Sequence, residues 1–174
     1  MLPEERDCSF MNGFLDLLNN NLLIITAIAW FAAQTLKLFI HSAIERKFSF
    51  SRFFGDGGMP SAHTASVVSL AAAAGWEYGL GSAAFAISTL FAIVVMKDAV
   101  GVRRETGKHA LVIKQIANLY NAMFLEKDEA LKTEKLKEFV GHTKTQVFFG
   151  ALVGIIVAVC AMLIMKVGYG QLTV

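Results

Sequence analysis

Three stretches of this chain are apolar over lengths that suit a lipid bilayer, and no other feature limits the fold so strongly. Residues 22–40 and 147–165 are each close to twenty residues long. Residues 64–96 form a longer run, interrupted by WEYGLGS at 76–82. At 1.5 Å per residue, about twenty helical residues cross a hydrocarbon core roughly 30 Å thick. The long run exceeds one crossing and fits two short ones joined at its glycine-containing turn. Four transmembrane helices are therefore expected, over about 21–41, 61–79, 81–97 and 146–166. Composition agrees, because the 174 residues are 55% hydrophobic and only 17% charged, with a mean hydropathy of +0.54. A soluble domain carries about 25% charged residues. The expected fold class is all-α, an integral membrane helical bundle with about four transmembrane helices plus interfacial helices.

The flanks read differently. Residues 1–20 carry Glu4, Glu5, Asp7 and Asp16 against Arg6, the wrong charge for the start of a signal peptide, and suit an interfacial lead-in. Between 108 and 125 the pattern is helical: Val112, Ile116, Leu119 and Met123 share one face, while Lys114, Asn118 and Asn121 share another. A crossing there would bury those polar groups, so an interfacial helix packed on the bundle is expected. Residues 126–138 are a solvated charged segment, and 167–174 form a short tail. Cys8 and Cys160 lie far apart and suggest neither a disulfide framework nor a cysteine metal site. A net charge of +2 is no nucleic-acid footprint.

Four crossings put both termini on one side and the segments 41–60 and 98–145 on the other. Of the sixteen lysines and arginines, all but Arg6 and Lys166 then fall on the loop side or, for Lys37, near it. Cytoplasmic loops attract Lys and Arg, so the loops should face the cytoplasm and both termini should lie outside. The same parity gathers Lys37, the GDGGMPSAH segment at 55–63, Asp98 to Arg104, and Gly141–His142 at one membrane face.

That gathering has chemical content. Gly55, Gly57 and Gly58 permit a tight turn, and Pro60 suits the first position of the helix that follows. The N–H groups of Ser61, Ala62 and His63 would then point out of a helix N-terminus, where anions bind. His63 can donate a proton to a leaving oxygen. His142 can attack phosphorus through a neutral ring nitrogen, given a partner that fixes its tautomer; Gln146, one turn on, can accept that hydrogen bond. Lys37, Arg103 and Arg104 are the cations that would neutralise phosphoryl oxygens. Asp98 would either orient a histidine or pair with one of the arginines. Against each stands a plainer role: a tight loop with an N-cap serine, a solvated histidine, a lysine that snorkels, an arginine pair that only sets orientation.

Gly58-Met59-Pro60-Ser61-Ala62-His63 resembles the P-S-G-H element of type 2 phosphatidic acid phosphatases. The stretch from His142 through Gln146 and Val147 to Gly150 resembles their H-x-x-x-D-V-x-x-G element, with the spacing from histidine to glycine kept. The whole chain over about 20–166, including MKDAVGVRRETGKHA at 96–110, is similar to the divergent branch of small membrane proteins related to acid phosphatases and vanadium-dependent haloperoxidases. The resemblance implies that His142 is a nucleophile forming a phosphohistidine and that His63 protonates the leaving alcohol. It implies that Ser61 and Lys37, beside Gly58, bind phosphoryl oxygens, with no metal and no cofactor. Three positions differ from the superfamily: Ile44 and Leu136 stand where it has arginine, and Gln146 where it has aspartate. The expected activity is hydrolysis of a lipid-linked phosphate monoester at the cytoplasmic face of a bacterial cell membrane. The rivals are a protein of the same fold that binds or transports lipid phosphate without turnover, and a structural membrane subunit. Expected partners are the lipid-phosphate substrate and membrane lipids, with no nucleic acid. A homodimer would close a four-span site, and Gly150/Gly154 (G-x-x-x-G) offers it one packing face.

Overall fold

The computed structural model describes residues 15–46, 58–124 and 142–170. Among these, every regular element is an α-helix: α1 (Asn21–Glu45), α2 (Ala62–Tyr78), α3 (Ala83–Val100), α4 (Val102–Phe124) and α5 (Lys144–Gly170). Three begin at polar N-caps. The side chains of Asn20, Ser61 and Ser82 accept hydrogen bonds from the N–H groups of Leu23, Thr64 and Phe85. Each satisfies an N–H that the first helical turn leaves without a partner. Gly79, at φ 84°, ends α2 in a conformation that favours glycine. Ser82 then starts α3, so the interruption seen in the long apolar run is the hairpin between these two helices.

Helix α2 is the centre of the bundle and touches α1, α3 and α5. Its buried face is built of small residues, including Ala62, Thr64, Ala65, Ser69 and Ala73. Where α5 crosses it, there is no room for a side chain. A Cβ on Gly150 would stand 2.5 Å from the Ser61 carbonyl oxygen, and one on Gly154 would stand 2.5 Å from that of Ala65. The G-x-x-x-G face expected to serve a second copy is thus occupied by the chain's own α2. Small residues on both helices allow the backbones to meet, which is how helices associate in lipid, where apolar burial alone supplies no driving force.

The outside is inverted relative to a soluble protein. Phe39, Ile87, Leu90, Phe148, Ile156 and Ile164 are exposed, while the interior holds mostly alanine, serine and threonine. Large apolar side chains facing out along whole helices suit contact with lipid. Three segments are long and apolar enough to cross a membrane: Asn21–Glu45, Ala83–Met123 and Lys144–Lys166. Helix α2, at 17 residues, is shorter than the usual crossing and is enclosed by the others.

The expected helix near 108–125 exists but starts earlier, at Val102, separated from α3 only by Gly101. It packs against α3 alone among the described elements. Its large apolar residues, among them Val112, Ile116, Leu119 and Met123, remain exposed. The expectations for 1–14, Gly55, Gly57 and 126–138 lie outside the described residues.

Gly154→Val forces a branched side chain into the α2 backbone and is expected to destabilise the protein by about 1–3 kcal/mol. Gly81→Ala, where a Cβ meets nothing within 4 Å, is expected to stay within about 0.5 kcal/mol of the parent. Thermal unfolding in detergent compares the two.

Candidate active site

The helices alternate in direction, so the end of α1, the start of α2, the end of α3 and the start of α5 meet at one end of the bundle. Two backbone hydrogen bonds tie them. The Ser61 N–H donates to the Gln146 carbonyl at 3.1 Å, and the His142 N–H donates to the Ala99 carbonyl at 2.9 Å. The first joins α2 to α5, and the second hangs His142, two residues before α5, from the last turn of α3.

These ties bring His63 and His142 together, with ring centroids 6.5 Å apart and planes inclined by 52°. His142 is 5% exposed, whereas His63 is exposed on the first turn of α2. His142 Nδ1 lies 3.2 Å from Gln146 Oε1. The same Oε1 accepts the Thr143 N–H at 3.0 Å, which orients the amide. An amide oxygen can only accept, so Nδ1 carries the hydrogen and Nε2 keeps its lone pair. Burial, first of all, holds the His142 pKa below the ordinary imidazole range; the Gln146 hydrogen bond opposes this, and nearby His63, Lys37 and Arg103 add to the lowering. His142 is therefore neutral at neutral pH, with one nitrogen free.

Lys37 is 5% exposed. Its aliphatic stem runs under Gly58, at φ 109°, where an added Cβ would sit 3.1 Å from Lys37 Cγ and Cδ. Gly58 is needed there twice, for the positive φ and for the close passage of the lysine. Ser61 is wholly buried and its Oγ accepts from the N–H of Thr64 at 3.3 Å and from the Thr64 hydroxyl at 3.1 Å. The helix starts at Ala62 with Ser61 as its N-cap, so Pro60 stands one residue outside the cap and not at the first helical position. Of the three N–H groups expected to face an anion, that of Ser61 is committed to Gln146.

The two arginines separate. Arg103 is close enough to His142 to influence its charge and is held by Asp98 through a Nε–Oδ2 ion pair. Asp98 thus positions an arginine; no hydrogen bond or ion pair joins it to either imidazole. Arg104 is exposed on α4, and among the described residues no hydrogen bond or ion pair joins it to this cluster. Two polar residues were not singled out in the sequence. Thr64 is completely buried against Ser61, and Gln34, one turn before Lys37 on α1, is 6% exposed with Oε1 unpartnered among the described residues. A polar residue within an apolar span is the signal that marks Gln34. Among the described residues no three His, Cys, Asp or Glu side chains converge as a metal-binding set.

The sequence profile of the divergent PAP2 family matches residues 18–157. The chain belongs to the divergent PAP2 family. It is also 40% identical over 148 residues to the uncharacterized membrane protein YuiD of Bacillus subtilis (strain 168), an alignment covering 82% of this chain and 94% of that protein. No solved structure matches it. The matched region of this divergent PAP2 protein includes all the clustered residues, from Lys37 to Gln146. With a membrane protein of Bacillus as relative and three helices able to cross a bilayer, a bacterial membrane location is supported.

The lowered His142 pKa has a consequence for stability. Folding disfavours its charged form, so stability is complete above the unfolded imidazole value of about 6.5 and is lost as pH falls through the lower folded value. The melting temperature in detergent is expected to be lower at pH 5 than at pH 7.5. His142→Asn is expected to flatten that difference, and an unchanged slope in the variant would assign it to another group.

Proposed function

We propose that this divergent PAP2 protein hydrolyses a lipid-linked phosphate monoester through a phosphohistidine. The observation that carries this reading is the 6.5 Å separation of the His63 and His142 rings beside buried Lys37 and Ser61. Near-attack distances of about 3–3.5 Å on each side allow one phosphoryl group to lie between the rings.

In the first step His142 Nε2 supplies an electron pair to phosphorus while the bond to the lipid oxygen breaks. His63, protonated, gives its proton to that oxygen, and the lipid alcohol leaves. In the second step His63, now neutral, takes a proton from water as the water oxygen attacks phosphorus. The P–N bond breaks, phosphate departs, and His142 recovers its lone pair. Lys37 and Arg103 offset the charge on the equatorial oxygens, and the Ala62 and His63 N–H groups at the start of α2 add dipoles of the same sign. The positive-inside bias supports a cytoplasmic site with both termini outside. At that depth a phosphate headgroup meets the cluster while its tails remain in lipid.

Gln146 favours a second reading, a cradle that binds lipid phosphate and turns it over slowly. Its amide fixes the His142 tautomer without the charge that would stabilise an imidazolium. In serine proteases the loss of the orienting carboxylate costs about 10⁴-fold.

Purified protein in detergent with EDTA, offered phosphatidic and polyprenyl phosphates, tests both. Hydrolysis predicts phosphate release that His142→Ala lowers by at least about 10³-fold and Gln146→Asp raises by at least about tenfold. Release indistinguishable between His142→Ala and the parent would sink the hydrolase. Headgroup binding that survives His142→Ala but not Lys37→Met would establish the cradle.

A further inference from the structure

On the last two turns of α3, Ile93, Met96, Lys97 and Val100 fall on one face, at the i, i+3, i+4, i+7 spacing of a helical stripe. Opposite them stand Lys144 and Val147, one turn apart on α5. Together they line a groove of about 350 Å³, in the range of small-ligand sites. Among the described residues its floor is aliphatic and its charged groups are two ammoniums. Both lysines are exposed, and neither forms an ion pair or hydrogen bond among the described residues.

This groove is distinct from the phosphate cluster. Lys97 and Ala99 are two residues apart, about 200° around the helix, so they face opposite ways. Ala99 is buried and its carbonyl takes the His142 N–H, whereas Lys97 faces the groove. The last turn of α3 is the wall between them.

Helix electrostatics account for one lysine only. Lys97 sits in the last turn of α3, where the helix dipole favours a cation. Lys144 is the first residue of α5, where the dipole disfavours one. An anion at the groove mouth offsets both charges and is attracted by the helix end as well. An apolar trough that ends in a cationic mouth, at the end of the bundle where α4 begins, has the polarity of a phospholipid: charge at one end, hydrocarbon behind it.

We infer that the groove between α3 and α5 binds an anionic diacyl phospholipid of the surrounding membrane. Its phosphate lies between Lys97 and Lys144, and an acyl chain runs along Ile93, Met96, Val100 and Val147. The site does not depend on catalysis at His142.

The experiment is native mass spectrometry of the full chain, extracted from bilayers of phosphatidylglycerol and phosphatidylcholine in equal amounts with identical chains. The parent is expected to retain the anionic lipid in excess, by about fivefold for each lysine engaged. Lys97→Gln with Lys144→Gln is expected to abolish the excess, while Lys166→Gln, at the opposite end of the bundle, keeps it. Lys37→Met, the change that removes headgroup binding by the phosphate cluster, also keeps it, which separates this site from that cluster. The melting temperature of each variant confirms that it is folded. Equal retention of both lipids by the parent, an excess that persists in the folded double variant, or an excess lost with folded Lys37→Met would each overturn the assignment.

Discussion

Everything at the polar end of this bundle depends on how closely α5 lies on α2. With hydrogen in place of side chains at Gly150 and Gly154, the two backbones approach until the Gln146 carbonyl accepts the Ser61 N–H. That bond sets the register of α5 against the start of α2. Since His142 stands one turn before Gln146 and His63 two residues after Ser61, the same bond sets the distance between the imidazoles. Packing in the apolar interior and geometry at the polar end are therefore one constraint. A methyl group at Gly150 would reach the site as a displaced histidine.

Among the described residues, Lys37, Arg103 and a helix N-terminus stand near a histidine that burial keeps neutral, and the carboxylate of Asp98 is paired with Arg103. A neutral imidazole among cations is suited to an anionic ligand, because binding one relieves repulsion among groups already held in place. Lys37 belongs to this balance. A lysine ammonium in a membrane bundle is costly unless matched by other charge or water, and Gly58 lets its stem pass so that the head reaches the cluster.

Much of this was legible from residue spacing. The span lengths and their parity place Lys37, His63, Arg103 and His142 at one end, because the direction of a crossing helix is decided by counting. The tautomer-fixing place of Gln146 is a local pattern, readable over four residues, whereas the N-cap at Ser61 stands only as the plainer alternative to a helix that begins at Pro60. What spacing did not reveal are the choices among partners. Whether Gly150 and Gly154 meet the chain's own α2 or another copy, whether Asp98 serves a histidine or an arginine, and which arginine turns inward depend on rotation about helix axes. Neighbouring residues on a helix differ by about 100°, so Arg103 and Arg104 were equal in sequence and are unequal in space.

Gln146 shows how closely the two proposed modes of action are related. Its carbonyl takes the Ser61 N–H, and its side chain takes the Thr143 N–H and faces His142 Nδ1. It thus fixes the fold, the loop and the tautomer at once. A carboxylate in its place would do the same and add a negative charge. That charge would stabilise the imidazolium-like phosphohistidine and so favour turnover, but it would also weaken the attraction of the cluster for a dianionic phosphate. The amide adds no negative charge to the cluster. For the proposed reaction, a neutral side chain at this position would therefore favour holding a phosphate over passage through the intermediate, while leaving the lone pair aimed where that reaction would need it.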